Sequence, residues 1–195
     1  ESFILESCPH YMQFTRKSME GPRGALYTMN PPLRAREDAD ALMEAVLRED
    51  ISILSTDHCP YSKQYKLGTN YETVPCGVDG VQTRMQYYFS EAVLKRGLSM
   101  EAFVRMTSSN AAKFYGLYPQ KGVIAVGSDA DLAFFDPALS WTYTMEDVAG
   151  ATDYSIFEGF PLQGRCTRTI KGGEVVMENG VVTAKKGSGT FLFTK

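Results

Sequence analysis

Apolar positions along this chain keep two different rhythms. Up to about residue 120, short continuous apolar runs alternate with stretches of helical spacing; beyond that, brief β-rich runs are cut by Gly and Asn. Residues 2–7, "SFILES", form a compact apolar run closed by Cys8-Pro9, which predicts a buried strand and then a loop, with 13–30 irregular. Ala39, Leu42, Ala45 and Val46 repeat with helical period between Pro31-Pro32 and the unbroken run "ISIL", so a helix over 36–48 leads into a second buried strand.

A further helix is predicted over 81–95, where Val81, Met85, Tyr88 and Ala92 share a face and Gly97 supplies a left-handed terminus. Ser99 suits the N-cap of "MEAFVRM", and "NAAKFYG" predicts a separate short helix ending at Gly116. After "YPQKG" come "DLAFFD", "GRCTRTI", "GEVVMENGVVT" and "GTFLF", with Asn179-Gly180 a strong hairpin signal. The pattern therefore divides the chain into an α/β part, 1–122, and a β-sandwich-like part, 123–195.

Composition narrows the function classes. With 44% apolar and 22% charged residues, the 195-residue chain can bury a core. A net charge of -3 without a dense Lys/Arg cluster argues against a nucleic-acid partner. No apolar run approaches the roughly 20 residues of a membrane span, and no signal-peptide layout is visible, so a cytoplasmic location is the default expectation. Cys8, Cys59, Cys76 and Cys166 lie far apart without a CxxC pair, which favours reduced thiols over a disulfide framework or a zinc knuckle. The opening on Glu1 inside an apolar run suggests a piece of a longer protein.

The chemistry concentrates in "ILSTDHCPYSK", 53–63, where a core strand delivers Asp57 and His58 at its tip. In α/β barrels the C-terminal strand ends surround the reactive mouth, so an acid there can bind a metal or handle a proton. Asp-His after a strand is equally a loop-ordering or helix-capping pattern. If extended geometry continues, His58 points away from Asp57 and serves a structural or supporting role. His10, beside Pro9, reads as a loop residue rather than a zinc donor. Cys59 and Cys76 lack an evident His and Asn set to activate them as nucleophiles.

Together "MNPPLR", "STDHCPY", "VPCGVDGVQTRM", "TSSNAAKFYGLYPQKGVIAVGSDADLAFFD" and "DYSIFEGFPLQG", in this order over nearly the whole chain, resemble the cyclic amidohydrolases, specifically the dihydropyrimidinase and hydantoinase branch. The resemblance implies the C-terminal part of a distorted (β/α)8 barrel plus part of a β-sandwich. It also implies a dinuclear zinc centre that activates water to open a cyclic amide, hydantoin or dihydropyrimidine, to an N-carbamoyl amino acid. By resemblance Asp57 is both a metal ligand and the catalytic acid/base, while Asn30 and Cys76 stand where relatives grip the substrate ring through the main chain. Relatives have Ser or Thr at the first position and many have Asn at the second. The remaining ligands, a His-x-His pair, a carboxylated Lys and two further His, are expected upstream, so this chain alone should not assemble the centre. A homo-oligomer, dimer or tetramer, is also implied. Allantoinase and dihydroorotase are near competitors. A non-catalytic dihydropyrimidinase-related scaffold is the alternative, and a fragment that pairs through exposed barrel edges is a third reading.

Overall fold

In a computed structural model, which describes residues 3–68 and 70–194, the two predicted strands lie side by side. β1 (Glu6–Ser7) pairs in parallel with β2 (Ile53–Leu54), Glu6 opposite Ile53 and Ser7 opposite Leu54. Parallel neighbours need a crossover, and α1 (Pro9–Gln13) and α2 (Arg36–Leu47) supply it. The pairing is shorter than the apolar runs predict. Residues 3–6 are exposed and burial begins at Ser7, because among the described residues β1 has a sheet neighbour on one side only.

Cys8-Pro9 opens a helix rather than a loop, since Pro fits a first turn in which its missing N–H would be unpaired anyway. The predicted loop residue His10 therefore rides on α1 and is buried. In α2 the Ala35 N–H donates to Asp38 Oδ2 at 3.0 Å, and Glu37 and Asp38 put negative charge at the positive end of the helix. Its buried stripe is Ala39, Met43 and Val46, with the predicted Leu42 and Ala45 half-buried beside it.

α3 (Lys63–Lys66) is a single turn. α4 (Val81–Tyr88) runs on through wider turns over Phe89–Leu94 and closes at Gly97, whose φ of 76° is the left-handed end expected there. Ser99 Oγ then accepts from Ala102 N–H at 3.1 Å and starts α5 (Met100–Val104). The two helices predicted from here are one continuous run, because wide turns over Arg105–Ser109 carry α5 directly into α6 (Asn110–Phe114).

β3 (Leu132–Thr142), β4 (Pro161–Lys171), β5 (Glu174–Glu178) and β6 (Val181–Val182) form one antiparallel sheet in that order. β3 continues past the apolar run ending at Asp136, because a register shift between Asp136 and Ser140 absorbs Pro137, which cannot donate to the ladder. Asn179 and Gly180, at φ 49° and 83°, make the tight turn between β5 and β6. The "GTFLF" run forms no strand, and Phe191 and Phe193 are exposed.

The sheet packs onto α4 and its extension. Gly164, at φ 74°, lies so close that an added Cβ would stand 2.4 Å from Phe89 Cε1. Gln163 N–H donates to Ser90 Oγ at 3.0 Å and Cys166 N–H to Gln86 Oε1 at 3.2 Å. One hydrophobic core thus draws on both sides of residue 122, Leu54 and Tyr88 with Tyr143 and Leu162. Each such buried side chain contributes about 1.5–3 kcal/mol relative to exposure.

Candidate active site

The parallel strands end at the same edge, and α4 fixes where they end. Ser55 N–H donates to Ser7 O at 2.9 Å, extending the ladder past Leu54. Arg84 Nη1 donates to Leu54 O at 2.9 Å, and Tyr88 Oη to Ser7 O at 3.5 Å. Cys8 Sγ lies 3.2 Å from Ser55 Oγ, and burial pushes this thiol up to about 11, so it is a packing group rather than a nucleophile.

At Asp57 the backbone turns left-handed, with φ 45°. Strand alternation stops there, so the expectation that Asp57 and His58 face opposite ways fails: both line one cleft of about 630 Å³, with Ser55, Tyr11, Asn30 and Pro31. Asp57 is exposed, and among the described residues its carboxylate makes no hydrogen bond or ion pair. Asn30 is exposed on the same cleft. Cys76 is exposed but lies on the adjacent loop, outside the cleft's lining.

His58 has a defined task. Its Nδ1 accepts from Gly80 N–H at 3.0 Å and Val81 N–H at 3.3 Å, two of the donors that the first turn of α4 leaves open. That bonding assigns the ring proton to Nε2. Two glycines bring the 56–59 and 77–80 segments together: an added Cβ would meet Cys59 O at 2.3 Å from Gly77 and Thr56 O at 2.9 Å from Gly80. Cys59 N–H donates to Val78 O at 3.0 Å across the same seam.

Two residues that sequence reasoning missed organise the cleft. Tyr11 Oη donates to Pro31 O at 3.0 Å, fastening the loop that carries Asn30. Burial first, and then the charges of Asp57 and Cys8, push its phenol up to about 12, so it stays neutral at pH 7. Its place in the short helix that follows the first strand was the available signal. Lys66 is fully buried, and its Nζ donates to Leu26 O at 3.2 Å, Thr28 O at 2.8 Å and Gly77 O at 2.6 Å. With Gly77 N–H donating to Thr28 O at 2.9 Å, it binds the Asn30 loop to the Cys76 loop. Burial draws its pKa down to about 8, against the opposing influence of Cys76 and Cys59. Nothing in "YSKQYKLG" distinguishes it from a surface lysine.

The donor set for a metal is partial. Among the described residues no three His, Cys, Asp or Glu gather as a metal-binding group. The unpaired Asp57 carboxylate suits one ligand position. His58 Nδ1 is committed to α4, and His10 is buried with neither ring nitrogen partnered among the described residues, its pKa drawn down to about 4 by burial.

Known proteins of the same build give this geometry a context. The chain is 36% identical over 194 residues to a D-phenylhydantoinase of Escherichia coli O1:K1 / APEC, covering 98% of the chain and 42% of that relative. A D-hydantoinase crystal structure superposes with a TM-score of 0.91 at 34% identity, over 96% of this chain and 42% of that one. The dihydropyrimidinase of Brevibacillus agri NCHU1002 gives 0.87 at 36% identity, over 91% and 40%. The chain thus spans less than half the length of the proteins it matches. It takes the fold of the C-terminal portion of these enzymes, part of the barrel and part of the sandwich. Since the amidohydrolase family model matches residues 8–176, most of its length, the chain belongs to the amidohydrolase family.

Proposed function

We propose that the protein containing this chain is a metal-dependent hydrolase that opens hydantoin or dihydropyrimidine rings to N-carbamoyl amino acids. In this reading residues 1–122 are the last part of its barrel and 123–195 part of its sandwich. The observation that carries it is that Asp57 and Asn30, distant in sequence, line one cleft at the C-terminal ends of paired parallel strands. The named relatives add support, since hydantoinases and a dihydropyrimidinase are the proteins this chain is similar to.

Asp57 would be this chain's ligand to a dinuclear zinc centre whose other ligands, a carboxylated Lys among them, come from elsewhere in the protein. When bound, the metal supplies Lewis acidity, polarising the ring carbonyl and lowering the pKa of water from about 15.7 toward about 7. Asp57 takes the proton released as water attacks and delivers it to the leaving ring nitrogen. Asn30 and Cys76 offer main-chain N–H and C=O groups, the complement of a cyclic amide or ureide whatever their side chains. Tyr11 and Lys66 hold these loops in place. The working protein is expected to be a cytoplasmic homo-oligomer, dimer or tetramer.

A panel of hydantoin, 5-substituted hydantoins and dihydrouracil, offered to the full-length protein with product N-carbamoyl amino acid quantified, tests the reading. Turnover that disappears on chelation and returns with zinc is expected. Absence of both turnover and bound metal would reassign the protein to the non-catalytic scaffold relatives.

A further inference from the structure

We propose that Cys59 and Cys76 form a paired-thiol site that reacts with small-molecule disulfides and closes to an intramolecular disulfide. The observations are spatial. Gly77, the neighbour of Cys76, lies against Cys59: a Cβ on it would stand 2.7 Å from Cys59 Cβ and 3.1 Å from Cys59 Sγ. Cys59 N–H is bonded to Val78 O, so the two segments are held at this separation. Both thiols are exposed and free. Cys59 Sγ lies 3.7 Å from Tyr61 Oη. Cys8, by contrast, is buried against Ser55, which leaves the pair as the accessible partners on this face.

The reaction is two thiol–disulfide exchanges with a disulfide of the glutathione class as oxidant. One protein thiolate attacks a sulfur of the small disulfide; that S–S bond breaks, and one small thiol leaves with the proton given up by the attacking cysteine. The second protein thiolate attacks the mixed disulfide, forming the Cys59–Cys76 bond and releasing the second small thiol with the second proton. Two electrons pass from the protein to the oxidant. The bond would draw the Cys76 main chain toward Cys59, and its effect on ring opening rests on the proposed role of Cys76 in gripping the substrate.

The full-length protein is incubated with oxidised glutathione, alkylated and digested with trypsin, which places the two cysteines on different peptides, 49–63 and 67–84. Expected is one cross-linked species, lighter than the separate peptides by two hydrogens and released by dithiothreitol. In Cys59→Ser, glutathione should instead remain on Cys76 as a mixed disulfide. Independent alkylation of both thiols in the wild type, or separate glutathione adducts on each, overturns the proposal. Ring opening should fall by about 10²-fold as the cross-link forms and return on reduction, the scale of effect when a reacting geometry is displaced. A cross-link that forms with turnover unchanged leaves the thiol site standing and removes Cys76 from substrate binding.

Discussion

Lys66 Nζ donates to Gly77 O at 2.6 Å inside the protein, and the same nitrogen reaches Thr28 O at 2.8 Å on the other loop of the site. A single ammonium therefore sets the spacing between the segments that carry Asn30 and Cys76. Lys66→Met keeps the length of the side chain but removes the donor, leaving buried carbonyls without it. A loss of about 2–4 kcal/mol is expected, since each unsatisfied buried group costs roughly 1–3 kcal/mol. Thermal denaturation reads the loss, and KM for the ring substrate should rise more than kcat falls. Unchanged Tm and KM would refute the clamp.

Asp57 is exposed at φ 45°, a conformation that Asn tolerates as readily as Asp. Asp57→Asn should thus leave the folding free energy within about 0.5 kcal/mol of the parent, as surface changes usually do. It should lower kcat by about 10²–10⁴-fold, the usual contribution of proton transfer. Elemental analysis of the same protein should give less zinc per chain. Wild-type turnover in this variant would remove Asp57 from the chemistry.

Gly77 combines φ 147° with an approach to Cys59 O that leaves no room for a methyl group. Gly77→Ala should cost about 2–4 kcal/mol, strain and overpacking together, and displace the Cys76 loop. Gly97→Ala is the matched control, because its φ is 76° but nothing stands within 4 Å of the added Cβ. The control should lose only about 1–2 kcal/mol, the cost of left-handed backbone alone. Equal losses in urea denaturation would mean that the contact with Cys59 contributes nothing.

Where local chemistry decided the structure, the sequence already carried it. Ser99 caps its helix, Gly97 ends one, Asn179-Gly180 turns the hairpin, and the strand "ISIL" points its polar tail into a cleft. The motifs single out Asp57 and Asn30, and the structure puts both on that cleft. What escaped depends on distant partners. Lys66 looks like any surface lysine until the fold surrounds it with carbonyls, and Tyr11 gains its task only when Pro31 comes within reach. His10 beside Pro9 reads as a loop residue, whereas at the first helical position Pro starts a turn and carries His10 inward. β3 outran its apolar stretch because a bulge, a property of the pair of strands, accommodated Pro137.

His10 supplies a last prediction, on pH. Only 1% exposed and with both ring nitrogens unpartnered among the described residues, it is held neutral by burial, with its pKa drawn from 6.5 to about 4. As pH falls below 6.5 the unfolded chain takes up a proton on this imidazole while the folded one does not, so acid favours unfolding. The stability contributed by neutral His10 is fully present above about pH 6.5 and is lost progressively toward pH 4, where the folded form also protonates. Over the whole window the loss is about 3 kcal/mol, from the separation of the two pKa values. Urea denaturation at pH 7.5, 5.5 and 4.5 should show this slope, and His10→Phe, which fills the site with a ring that cannot titrate, should flatten it by that amount. A variant as acid-sensitive as the parent would place the proton uptake on another group.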